Sequence, residues 1–166
     1  SGKSTQIRLL SEYLSLNNIE HKITKEPGGT IGGKMIRSML VTGDVSRWDD
    51  ITETLLFFAD RRHHLVKKVW PALKSNKWVI SDRFADSTKA YQCYGHKGNV
   101  SIDMVDKLYD ITVGDFKPDL TIVLDLPIEV GLKRSFAKSE TMEEKEVRFE
   151  SFDTSFHENI RNAFLD

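Results

Sequence analysis

The sequence has a single cysteine, Cys93, so no disulfide can form within it. A reducing, cytoplasmic setting is the natural expectation. It has no apolar run that approaches a membrane span and no recognisable signal peptide. Charge of neither sign prevails: 24 Lys+Arg stand against 25 Asp+Glu, a net charge of −1. No overall field therefore favours nucleic acid or an anionic membrane, and neither is expected as a partner. There is no internal repeat and no low-complexity stretch. The front of a motif is missing as well. The chain opens Ser1-Gly2-Lys3-Ser4-Thr5, the back half of a phosphate-binding loop without its leading glycine.

What is present is a globular balance, 39% hydrophobic and 30% charged over 166 residues. That length suits one domain with a sizeable core. Ile7, Leu10 and Leu14 recur at helical spacing after the Gly-Lys-Ser, and Asn17-Asn18 makes a stop. "HKITKE" reads as a short strand, "IGGKMIRSML" as a helix and "GDVSRWDD" as a polar loop. "ITETLLFFADRRHHLVKKVWPALKSN" reads as a long helix that must bend or restart at Pro71. "KWVISDR" is an apolar strand running into an acid and a base, and "SIDMVDKLYDITVG" is helical. "LTIVLDL" has the clearest strand pattern, apolar along its length as a strand buried on both faces should be. Pro127 opens another helix, a charged segment follows, and "SFHENIRNAFL" closes the chain as a helix.

Strands separated by helices predict an α/β fold, a parallel sheet covered by helices on both faces. Ligands bind such sheets at the carboxyl ends of the strands, where the sequence puts Lys25-Glu26 and Asp82-Arg83. A phosphate loop normally joins a strand to the helix behind its Lys-Ser. Here that strand is missing, as are the last strand and helix that usually close such a sheet. The expectation is a single domain over 1–166, truncated at both ends.

The chemistry-bearing residues follow from these positions. A helix starting at Lys3-Ser4 aims its N–H groups at an anion. Lys3 can reach phosphate oxygens, and the Ser4 hydroxyl can coordinate Mg²⁺. Asp82, ending an apolar strand, occupies the place of the carboxylate that helps hold that ion. Arg83 offers a planar fork for phosphate. Phe57 and Arg61 share a helix face, as do Thr88, Tyr91 and Gln92 if their segment is helical. Together they could frame a planar base, yet Phe57 and Tyr91 fit core packing equally well on these grounds.

"KEPGGT", "FFADRRHHL", "VISDRFADSTKAYQ", "GDFKPDLTIVLDLPIEVGLKR" and "RFESFD" occur in this order, and together they closely resemble the thymidylate kinase family over essentially the whole chain. The resemblance implies a P-loop kinase fold and ATP-dependent phosphorylation of dTMP, with Mg²⁺ as cofactor, dTMP and ATP as substrates and a homodimeric assembly. By matching position, Ser1, Gly2, Lys3, Ser4 and Thr5 would bind ATP, and Ser4 and Asp82 the metal. Glu26 would line the acceptor site and order the metal or a phosphate-binding arginine. Arg37 and Arg83 would hold the dTMP phosphate. Phe57 would stack on thymine, Arg61 would bond its O4, and Thr88 and Gln92 would read the rest of its edge. Tyr91 would lie beneath the sugar, where a ribose 2′-hydroxyl clashes. A lid at about 139–150 would carry Arg148 over the phosphates. Lys3, Asp82, Arg83 and Arg148 would thus be the catalytic set. The rival readings are another nucleotide kinase of this fold, a GTP-driven switch and an inactive scaffold. No Asn-Lys-x-Asp motif supports the switch, and intact Lys3, Asp82 and Arg83 oppose the scaffold.

Overall fold

The computed structural model describes residues 2–95, 99–139 and 148–165. Its helices are α1 (Lys3–Leu16), α2 (Ile31–Val41), α3 (Asp50–His64), α4 (Trp70–Lys74), α5 (Ala85–Thr88), α6 (Ile102–Thr112), α7 (Ile128–Ser139) and α8 (Thr154–Leu165). Two strands, β1 (His21–Lys25) and β2 (Trp78–Asp82), form a parallel pair in register from His21↔Trp78 to Lys25↔Asp82. Capping explains several helix starts. Asp49 accepts from the Ile51 and Thr52 amides before α3. Thr30 accepts from Gly33 before α2, and Ser101 from Met104 before α6.

Side-chain alternation along the strands divides the sheet. On one face His21 meets Ser11 of α1 at 2.6 Å. On the other, Thr24 lies 2.6 Å from His64 of α3, and Val79 packs on the cluster of Leu65, Val69 and Val113. Helices therefore cover both faces, as expected. The same alternation turns Asp82 toward α1 and Glu26 toward α3, so one sheet edge presents a carboxylate to each face.

The long helix restarts at Pro71, as expected, without an intervening loop. It widens into a π-helical turn at Leu65–Val69, in which the Trp70 amide bonds the Leu65 carbonyl, and resumes as α4 with proline in its first turn. The wider register relieves the clash a proline ring makes with the carbonyl four residues back. It also presents Lys68, which donates to the Gly29 carbonyl at 2.9 Å. A second π-helical stretch, Lys89–Gly95, continues α5 and carries Tyr91 and Gln92. Phe156 and Ile160 of α8 pack on it through Ala90.

One expectation fails. Residues 120–126 form no strand, and Leu120, Ile122 and Val123 are 76%, 69% and 47% exposed. An apolar run becomes a strand only when its backbone finds a neighbour to bond, and among the described residues no strand lies beside this one. It instead lines a trough of about 1540 Å³ together with β2 and the start of α1. Ser1 and residues 140–147, the bulk of the expected lid, lie outside the described residues.

Candidate active site

The "EPGGT" loop leaves β1 and folds back against α3. Gly28 has φ +98°, and a Cβ there would lie 2.8 Å from Arg37 Cδ. At Gly29 a Cβ would lie 2.5 Å from the His64 ring and 2.7 Å from the Lys25 carbonyl. Only glycine lets the backbone pass so close. The loop is fastened by Asp60, whose Oδ1 accepts from the Gly28 amide at 3.2 Å. Burial, augmented by the Glu26 charge nearby, raises the Asp60 carboxyl to about 6, while the Gly28 hydrogen bond and the Arg61 and His64 charges pull it down.

Behind this loop lies a cavity of about 130 Å³. Its lining includes Glu26, Arg37, Phe57, Arg61, Arg83, Thr88, Tyr91 and Gln92, every residue expected at the acceptor site. Phe57 is half-buried on this wall, while its neighbour Phe58 is 1% exposed and takes the core position. Arg61 is buried with its Nε on Glu26 Oε2 at 2.9 Å and its Nη2 on Thr88 Oγ1 at 2.8 Å. Its guanidinium lies over the rings of Phe58 and Phe84. The remaining nitrogen, Nη1, is buried and takes no hydrogen bond. Gln92 is its counterpart. Its Nε2 donates to Glu53 Oε1 at 2.8 Å, while its Oε1 is buried without a partner.

Three of the expected roles shift. Glu26 orders Arg61 and His64, whose Nδ1 is 2.8 Å from Glu26 Oε1, and so supports the arginine expected at the base. Thr88 accepts from the same arginine. Arg148 lines neither cavity. It is 1% exposed, ion-paired with Glu53, and donates to the carbonyls of Leu40, Asp44 and Val45. That arrangement gives the "GDVSRWDD" segment a purpose, since its Asp44 and Val45 carbonyls receive this side chain. It also leaves Arg148 apart from the phosphate side, because a buried guanidinium with this many partners is costly to withdraw.

On the other side of the sheet edge, α1 begins after Gly2, at φ +83°, with no side chain capping it. Lys3 Nζ lies 4.0 Å from Asp82 Oδ1, an oxygen that is buried and takes no hydrogen bond. Gly2, Lys3, Ser4, Thr5 and Asp82 all line the larger trough. Arg83 and Tyr91 line both cavities. Arg83 has φ +73°, a left-handed backbone that a non-glycine residue adopts only when its surroundings hold it there. Its guanidinium donates to Ser87 Oγ at 3.2 Å and Tyr91 OH at 3.0 Å. Tyr91 foremost, then Asp82, holds the Arg83 pKa above its ordinary value. This fixed cation stands where the two cavities meet.

Residues missed in the sequence share one signal. Glu53, Asp60 and His64 stand three or four positions from the expected Phe57 or Arg61 along α3, a stripe of polar groups around one aromatic. Four of the five are buried. Phe149, whose ring is 6.0 Å from Phe57 and 5.7 Å from Tyr91, had no such signal.

A parallel sheet with a Gly-Lys helix start facing a strand-end carboxylate, beside a second cavity ringed by arginines, defines an enzyme of the P-loop kinase fold. The family model for thymidylate kinase matches residues 1–165. The thymidylate kinase of Bradyrhizobium sp. (strain ORS 278) is 42% identical, over 99% of this chain and 71% of its own. That of Afipia carboxidovorans is 44% identical, over 99% and 70%. The crystal structure of thymidylate kinase from Ehrlichia chaffeensis superposes with a TM-score of 0.73 at 34% identity, over 99% of this chain and 78% of that one. The chain belongs to the thymidylate kinase family.

Proposed function

We propose that this enzyme transfers the γ-phosphoryl group of ATP to dTMP, forming dTDP, as one kinase domain with the smaller cavity as acceptor site. The observation that carries the substrate class is the pair of buried, unpartnered atoms in that cavity's lining residues, a donor at Arg61 Nη1 and an acceptor at Gln92 Oε1. Thymine presents the complement, an O4 acceptor next to an N3–H donor. Phe57 supplies an aromatic face for the ring.

Arg83 and Arg37 hold the acceptor phosphate, and the fixed Arg83 also faces the trough in which Lys3, Ser4 and Thr5 take the ATP phosphates. Alignment and charge neutralisation are what this reaction asks of a protein. The dTMP phosphate is already an anionic nucleophile, so no general base is required. Mg²⁺ suits a site with one carboxylate and one hydroxyl, because it fills its remaining positions with phosphate oxygens and water. Asp82 Oδ1, buried beside Lys3 and accepting no hydrogen bond, fits that use. When bound, the ion would draw charge from the transferring phosphoryl group. Ser4 and Asp82 would hold it.

The family resemblance further supports a cytoplasmic homodimer. The packed helices α2 and α3 leave Ile31, Met35, Ile51 and Leu55 exposed, and among the described residues no helix is long and apolar enough to cross a membrane. Initial rates with dTMP, dUMP, dCMP and AMP test the substrate assignment. dTMP is expected to give the highest kcat/KM, and faster turnover of AMP would overturn the reading.

A further inference from the structure

The carboxamide of Gln92 can face the cavity in two ways. With the oxygen inward it accepts, and the site suits a pyrimidine with a protonated N3. With the nitrogen inward it donates, and the site suits cytosine, whose N3 is an acceptor. Nothing in the glutamine itself decides between them. Glu53 does.

Glu53 is 1% exposed, and its Oε1 receives the Gln92 Nε2 at 2.8 Å. A carboxylate has only acceptors to offer. Turning the amide over would set oxygen against oxygen in a buried place and strand the amide nitrogen. The other carboxylate oxygen is ion-paired with Arg148, which three backbone carbonyls hold in place. The chain of contacts runs Arg148, Glu53, Gln92, cavity. Its first member is anchored in the 43–50 segment, outside the cavity lining.

We propose that Glu53 is a specificity-determining positioning residue, which fixes the Gln92 oxygen toward the cavity and so makes the site select 4-keto over 4-amino pyrimidine nucleotides. The inference rests on the dTMP reading of the smaller cavity. Arg148 serves it by holding Glu53, a role distinct from phosphate contact.

The test compares kcat/KM for dTMP and dCMP in wild type, Glu53→Gln, Gln92→Leu and the double variant. A glutamine at 53 can present either oxygen or nitrogen, so Gln92 loses its preferred orientation. The dTMP/dCMP ratio should fall about tenfold in Glu53→Gln. It should not vanish, because Arg61 remains a donor opposite the 4-position. The change should fall chiefly on KM for dTMP. In the Gln92→Leu background, Glu53→Gln should leave the ratio where it is, since the group it orients is gone. General loss of structure would lower both rates and leave the ratio alone. An unchanged ratio in Glu53→Gln, or an equal fall in the Gln92→Leu background, would overturn the inference. If Glu53→Gln does not fold, because Arg148 loses its counter-ion, Glu53→Asp is judged by the same ratio. It keeps a carboxylate for Arg148 and draws it back from Gln92. A wild type without preference for dTMP over dCMP would overturn the dTMP reading and this inference with it. A wild type that prefers dTMP, with variants whose ratio is unchanged, would overturn this inference alone.

Discussion

At the scale of single residues, Arg83 carries the most. Its left-handed backbone, its two hydroxyl partners and its place at the junction of both cavities leave few other side chains able to do the same. Arg83→Ala should lower kcat by at least about a thousandfold, in the range that loss of a phosphate-stabilising arginine produces, while circular dichroism and thermal midpoint stay near wild type. Near-normal turnover would remove Arg83 from the reaction. Tyr91 has a different part. Its hydroxyl accepts from Arg83 and the residue lines the smaller cavity, so on the proposed reading Tyr91→Phe opens space beside the sugar. The preference for dTMP over its ribose counterpart should drop, by about tenfold; unchanged selectivity would take Tyr91 away from the sugar. Arg83 was legible because an apolar strand ending in Asp-Arg puts a phosphate-binding fork at the sheet edge, whereas the residue pattern left Tyr91 open between a base pocket and the core, and only the family resemblance chose. Arg148 was legible as a lone arginine in a charged segment, and its partners were not. A buried ion pair between residues 53 and 148 leaves no local pattern in either segment.

Among the elements, the loop between β1 and α2 joins fold to site most closely. Its glycines let it press on α3, where Asp60 and His64 hold it. Gly29→Ala would push a methyl group to 2.5 Å from the His64 ring and 2.7 Å from a carbonyl. Such overpacking against backbone should cost about 2 kcal/mol or more in urea unfolding and raise KM for dTMP. A variant as stable as wild type would show that the loop has slack. Helices were the most legible elements, because capping residues and apolar spacing are local: Thr30, Asp49 and Ser101 each stand where a helix begins. Two features were hidden. The π-helical turn at Leu65–Val69 depends on how a proline is accommodated. The state of residues 120–126 depends on a neighbouring strand. Neither condition is written in the segment itself.

For the molecule as a whole, the buried polar stripe of α3 makes stability depend on pH. Asp60 holds its proton up to about 6 in the folded chain, against an ordinary 3.8. The folded state thus binds this proton more tightly than the unfolded state does. The resulting stabilisation is fully present below pH 3.8 and is lost as pH rises through about 6. Asn at this position keeps an oxygen for the Gly28 amide and does not titrate. The stability of Asp60→Asn relative to wild type should therefore improve between pH 4 and pH 7, read as urea midpoints at each pH; a constant difference would contradict the burial argument. The overall fold was legible as a parallel sheet under two layers of helices. Less visible was the proposed division of labour across its edge, since that follows from alternation at residues 82, 83 and 26, which needs the register of β1 on β2. The most direct test of that division is a crystal structure with dTMP bound. The phosphate is expected on Arg83 and Arg37, the ring against Phe57, and its O4 and N3 on Arg61 and Gln92. A dTMP molecule seated instead in the trough beside Lys3 and Asp82 would contradict it.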